Sequence, residues 1–369
     1  MFSRAIRCLV VVAGLVAFAV LAGAVPQPGS QMVLEHPGPP NLNSITGLAD
    51  TEALLLNAAG TKGYIVHVGR DDNAFITEFT VPNTKGGTCE LGVLKGPRGS
   101  HAAAYDEANA RLWVGNFPEG NVSVVDVSQP LKEKCVVTGT VAINDSATDV
   151  VYDSGRKQAY VSGLMTNSVY VLARKEGEKE EYELKATVDL SEACLGPNAM
   201  ALGADALYVA CMFTNNVVRV NLGTLKADGT APAGAGPVDI KFYGDKLYVA
   251  ASVSDTAVVM DSAKMEQMAS VAIVDKVQEP NPRYVEVSPE GRFVYVSNAA
   301  GQSVSVICRA TNQLLTTFRA IDENRIPPPG VLKALDYKGD HLLYVPDKGG
   351  ILQVFVMDSV YIQQEATCP

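Results

Sequence analysis

The stretch Pro282-Arg-Tyr-Val-Glu-Val-Ser-Pro-Glu-Gly291, continuing as Arg292-Phe-Val-Tyr-Val-Ser-Asn298, decides how the whole chain is read. Apolar, mostly β-branched residues alternate with others on either side of a Ser-Pro-Glu-Gly turn. That is the pattern of two short antiparallel strands. Two more such runs follow, Ser303-Val-Ser-Val-Ile307 and Gln313-Leu-Leu-Thr-Thr-Phe318. Residues 282–318 therefore read as one four-stranded unit.

The second strand of this unit recurs along the chain. It appears as Gly63-Tyr-Ile-Val-His67, Leu112-Trp-Val-Gly-Asn116, Ala159-Tyr-Val-Ser-Gly163, Leu207-Tyr-Val-Ala-Cys211, Leu247-Tyr-Val-Ala-Ala251 and Leu343-Tyr-Val-Pro-Asp347. The aromatic anchors Tyr64, Trp113, Tyr160, Tyr208, Tyr248, Tyr295 and Tyr344 are spaced by 49, 47, 48, 40, 47 and 49 residues. Seven copies at this period predict an all-β fold, a seven-bladed β-propeller of four-stranded antiparallel blades. A ring at one fixed position per blade fills the gap between neighbouring sheets, so the anchors read as packing. For closure of the last blade two segments compete, Ser30–Glu35 and Ser359–Gln364.

The chain has 369 residues, 47% hydrophobic and 19% charged, which suffices for a sizeable core. Its net charge of −10 argues against nucleic acid as a general partner, because phosphate binding needs a basic surface. Arg4 and Arg7 precede an apolar run from Cys8 to Leu21, and Ala22-Gly23-Ala24 supplies a small-residue cleavage site. Residues 1–24 thus read as a signal peptide, and 25–369 as a single propeller domain. The expectation is a secreted, extracellular protein (periplasmic if bacterial), monomeric, with no membrane span after cleavage. Asn121-Val-Ser123 and Asn144-Asp-Ser146 are glycosylation sequons if the export route glycosylates.

The unit at 282–318 resembles the YVTN repeat of seven-bladed propellers, and Leu112–Asn116 with Asn121–Asp126 is a second good copy. The resemblance covers the mature chain. Related propellers include lactonases, muconate cyclases, the regucalcin/gluconolactonase group and proteins that only bind, so the fold alone does not fix a function.

In a propeller the innermost strand of each blade lines a central channel. Its start and the end of the second strand are expected on one face. The inner-strand starts are Glu52, His101, Thr148, Asn198, Val238, Arg283 and about Leu332. The second-strand ends are His67, Asn116, Gly163, Cys211, Ala251, Asn298 and Asp347. Glu52, His67, His101 and Arg283 are the candidate catalytic groups, suited to proton abstraction and oxyanion stabilisation. Asn116, Asn298 and Asp347 are the candidate ligand contacts.

Gly196-Pro-Asn-Ala199 resembles the P-N-G step of gluconolactonase-like propellers. That likeness implies a calcium or magnesium site at Glu52, Asn198 and Asp239, oxygen donors suited to hard cations. No other cofactor is indicated. Removing the signal peptide leaves six cysteines, which allow fifteen pairings. On the repeat map Cys194 and Cys211 fall on one face of the fourth blade and pair best. Cys89 and Cys135 occupy similar places in the first two blades, and Cys308 and Cys368 remain. The function expected from these features is binding of a small molecule or protein partner through the loop face at the channel. The alternative is a lactonase- or cyclase-type enzyme with its site at the channel mouth.

Overall fold

The computed structural model describes residues 45–46, 51–68, 73–81, 84–93, 102–117, 119–178, 181–274, 279–319, 331–338, 340–346, 351–357 and 368. The strands form seven four-stranded antiparallel sheets. We letter the strands of each blade A to D from the axis outward. Strand A of blades 1 to 7 is Thr51–Leu56, Ala103–Asp106, Ala147–Asp153, Pro197–Leu202, Pro237–Tyr243, Pro282–Val287 and Lys333–Tyr337. Strands B, C and D follow in chain order in blades 1 to 6, as strands B and C do in blade 7. In blade 6 they are Phe293–Asn298, Ser303–Cys308 and Gln313–Arg319.

Burial separates the strand types. Strands B and C of blade 6 are buried at every position, as befits a strand with a neighbouring blade on both faces. The outer strand Glu266–Ala272 of blade 5 is exposed along most of its length. The anchors behave as the spacing predicts. Tyr64, Trp113, Tyr160, Tyr248, Tyr295 and Tyr344 are almost wholly buried, and Tyr208 nearly so. Their rings reach across seams: Tyr64 meets Tyr105 of the next blade at 5.3 Å between centroids, and Trp113 meets Tyr182 edge-on at 5.1 Å. Truncating such a ring to Ala is expected to cost about 3–5 kcal/mol.

The ring closes through the N-terminal side of the chain. Ile45 pairs with Leu352 and Thr46 with Ile351, so Ile45–Thr46 is strand D of blade 7. Neither segment expected to close the blade, Ser30–Glu35 or Ser359–Gln364, lies within the described residues. Leu54, Ile65 and Phe79 of blade 1 then share a core with Leu342, Tyr344 and Leu352 of blade 7, which seals the last seam.

Three disulfides form, Cys89–Cys135, Cys194–Cys211 and Cys308–Cys368. They suit an oxidising, extracellular-type environment. The first joins the outer edges of blades 1 and 2, where Cys135 N–H also donates to Glu90 O. The last fixes Cys368 against strand C of blade 6. Among the described residues no helix is long and apolar enough to cross a membrane.

Candidate functional site at the channel mouth

Among the described residues, strand A begins with a β-bulge in five blades. The register slips between Thr51 and Ala53, Ala147 and Asp149, Pro197 and Ala199, Pro237 and Asp239, and Pro282 and Tyr284. The extra residues are Glu52, Thr148, Asn198, Val238 and Arg283. A bulge re-aims its extra side chain, and here all five line one cavity of about 240 Å³ on the axis. Five of the expected inner-ring residues thus meet. Leu332 also borders the cavity but is almost wholly buried. His101 and Asp347 lie outside the described residues.

The described residues of the second ring are not part of this cavity. His67 is 4% exposed, bonds Thr77 Oγ1 through Nε2 at 3.0 Å and stacks on Phe75. Burial, with Lys85 nearby, lowers its pKa to about 4. Asn116 donates to Asn121 Oδ1 and Ser123 Oγ at 2.6 and 2.9 Å. Asn298 donates to Ser303 and Ser305 at 3.0 and 2.9 Å. In each case the amide ties strand B to strand C of its own blade. Of the sequons, Asn144 is exposed, whereas Asn121 is half-buried with its side-chain oxygen engaged.

Below the bulges lies a charged layer of which sequence reasoning singled out only Asp239. Asp149 and Asp239 line the cavity, with Lys241 and Lys333 deeper along it. Glu286 sits between the two ammonium groups, 3.8 Å from Lys241 Nζ and 3.6 Å from Lys333 Nζ. Burial raises the pKa of both Asp149 and Asp239 to about 6. Burial also opposes the charge on Lys241, but Glu286, Asp239 and Asp149 outweigh it and raise that pKa. A signal was present in the sequence. Lys241, Glu286 and Lys333 pair with the anchors Tyr248, Tyr295 and Tyr344, where blades 1, 3 and 4 carry Leu55, Val151 and Ala201.

The polar groups of the mouth also clamp neighbouring blades. Thr148 Oγ1 donates to Pro197 O at 2.9 Å, and Asn198 Nδ2 donates to Val238 O at 2.6 Å. These commitments bear on the expected metal site. Glu52, Asn198 and Asp239 line the same cavity, but Asp239 accepts the Val285 N–H and faces Lys241, which already supplies the positive charge. Calcium requires six to eight oxygen ligands around it. This donor set, with a lysine among its acids, does not fit a calcium or magnesium centre.

A third feature crowns the same face. The B–C turns of blades 3, 4 and 5 expose Met165, Phe213 and Val253 at 72%, 62% and 74%. Each stands two residues past the end of strand B. The turns are clamped by residues with positive φ, Asn167, Asn215 and Asp255. Their side-chain oxygens accept N–H bonds from Gly196, Gly236 and Asn281 on the loop into the next blade, at 2.9, 2.8 and 3.0 Å. Gly196 and Gly236 also have positive φ, and a Cβ there would lie only 2.5 Å from Phe213 and 2.6 Å from Val253. Phe213 and Val253 therefore lie over bare backbone, two residues from the mouth positions Asn198 and Val238.

On the opposite side of the blades, in the region of the A–B turns, His341 Nδ1 contacts Asp336 at 2.7 Å, with Glu290 close by. The two carboxylate residues are exposed.

No curated protein is significantly similar to the chain. Among solved structures, hydrazine synthase of Kuenenia stuttgartiensis superposes with a TM-score of 0.66 at 15% identity, covering 84% of this chain and 96% of that one. Virginiamycin B lyase of Staphylococcus aureus, in a catalytically inactive form with quinupristin, gives 0.63 at 10% identity over 85% and 98%. The Cps50 (Swd1) β-propeller domain of Myceliophteria thermophila gives 0.63 at 11% identity over 85% and 99%. These likenesses establish a shared fold, carried by enzymes and non-enzymes alike. The family model described as lactonase, 7-bladed beta-propeller, matches residues 41–325, so the chain belongs to the lactonase family of seven-bladed propellers.

Proposed function

We propose that this chain is an exported binding protein that holds its ligand on the face where the channel opens. The observation that carries this reading is the arc of Met165, Phe213 and Val253. Three large apolar side chains stand out at equivalent positions of consecutive blades, on turns that hydrogen bonds hold rigid. Exposed apolar groups collected on one face mark a site for a ligand or partner. The cavity beside them adds polar groups that orient what binds.

Hydrolysis of a lactone at the same mouth is the competing reading, favoured by Glu52 and Arg283 lining one cavity. His67 is absent from that cavity, held inside blade 1.

The test uses the dye 1-anilinonaphthalene-8-sulfonate as probe. The folded wild-type protein should enhance its fluorescence, and the variant Met165→Ser/Phe213→Ser/Val253→Ser should lose the enhancement while melting at the same temperature. Undiminished enhancement in that variant overturns the proposal. Turnover of an aliphatic lactone by the wild type, abolished in Glu52→Gln, would establish the enzyme reading instead.

A further inference from the structure

Arg283 is the exposed bulge residue of blade 6 and lines the cavity. The other two cations of the cavity, Lys241 and Lys333, share Glu286. Among the described residues no carboxylate lies within ion-pair distance of the Arg283 guanidinium. Its place relative to the apolar arc is fixed. Two residues before it, Asn281 donates its N–H to Asp255 Oδ1 at 3.0 Å and its side-chain amide to Ser252 O at 3.3 Å. Both partners belong to the turn that carries Val253. Arg283 and Val253 therefore sit on two loops bonded to each other, with Phe213 one blade further along the arc.

A planar guanidinium with no ion-pair partner among the described residues suits a planar anion, which it grips through two parallel N–H bonds. The neighbouring surface, Val253 and then Phe213, is apolar and offers nothing to a second charge. From this juxtaposition we infer that the ligand is an amphipathic carboxylate, its head on Arg283 and its aliphatic chain laid over Val253 and Phe213. The inference rests on the reading of this face as a binding surface and names the class of molecule it takes. Of the acids in and around the channel, Glu286 lies between two lysines and Asp239 and Asp149 are close to Lys241, while Glu52 lines the cavity from blade 1, two blades away from Arg283.

The experiment is displacement of the anilinonaphthalene dye by three probes of equal chain length: octanoate, octanol and octyltrimethylammonium. Octanoate should compete best, by about tenfold over octanol, in line with one charge-assisted pair at a partly exposed site. The cationic probe should compete least. Arg283→Gln should bring octanoate down to the level of octanol and leave octanol unchanged, while Arg283→Lys should retain part of the preference. Added salt should weaken octanoate and spare octanol, which tests the charge in the wild type even if the Gln variant folds poorly.

Equal competition by octanoate and octanol in the wild type, insensitive to salt, overturns the carboxylate inference and leaves the apolar face as a binding surface. Undiminished dye binding in the triple serine variant removes the face itself. The two failures are therefore distinguishable.

Discussion

The carboxylate of Asp149 accepts the backbone N–H of Met200 at 2.7 Å, across the seam between blades 3 and 4. Asp239, in the same place two blades on, accepts the N–H of Val285 at 2.8 Å across the seam between blades 5 and 6. Each acid thus fastens one blade to the next beside the central cavity. Burial raises their pKa values most, Asp239 adding to the rise of Asp149 and Glu286 to that of Asp239, and the hydrogen bonds and Lys241 moderate it.

The first prediction concerns pH. The folded-state values of about 6 lie above the ordinary 3.8, so the folded protein binds protons more readily than the unfolded chain between those limits. The contribution of these acids is complete below the lower value and is lost as pH rises through the upper one. Asp149→Asn/Asp239→Asn keeps the acceptors and removes this loss. Its melting temperature should therefore fall less than that of the wild type between pH 4 and 7, by roughly 2–4 °C per kcal/mol. Thermal scans across that range check it, and parallel curves would show that the acids do not titrate there.

His67 acts with the opposite sign. Its pKa is lowered to about 4, so its contribution is complete above the ordinary 6.5 and is lost as pH falls through the lowered value. The imidazole should remain neutral down to about pH 5, without an inflection in its NMR carbon shifts above that point. An inflection near the ordinary value would place the ring in contact with solvent.

Asn116 and Asn298 separate structure from binding. Each amide is buried and bonds two side-chain oxygens within its own blade. Asn298→Ala should cost about 1–3 kcal/mol in urea unfolding, because Ser303 and Ser305 lose a buried partner. Dye binding should be unchanged. Loss of dye binding at full stability would return Asn298 to the ligand site.

The disulfides differ in the length of chain they close. Cys308–Cys368 spans 60 residues and Cys194–Cys211 spans 17. By loop entropy, replacing the first pair with serines should destabilise by about 1 kcal/mol more than replacing the second. Denaturant midpoints of the two double variants measure the difference, and the reverse order would contradict the entropic account.

Much of the architecture was legible because it repeats. Trp113 and its six tyrosine counterparts recur with the blade period, and one packing problem solved seven times leaves a mark that needs no coordinates. The same alignment brought Cys194 and Cys211 to one face of the fourth blade, where they pair, whereas it left Cys308 and Cys368 without a place of their own. Glu52 and Arg283 were legible for that reason too, as occupants of one position in two blades. The closing strand at Ile45–Thr46 was not. Two residues carry no periodicity, and they form a strand only because Ile351 and Leu352 present an open edge.

The repeat in the chain was enough for the blade count, the anchors, the Cys194–Cys211 pair and five of the residues that begin the inner strands. Only the tertiary structure decided where those side chains point. A bulge of one residue turns Glu52, Thr148, Asn198, Val238 and Arg283 into the channel. Their strand-B neighbours His67, Asn116 and Asn298 turn into the blades. A single slip of register reverses the direction of every following side chain. The meeting of Lys241, Glu286 and Lys333, and of the loop before Arg283 with the turn that carries Val253, belongs to no single repeat. It exists only once the blades are set around a common axis.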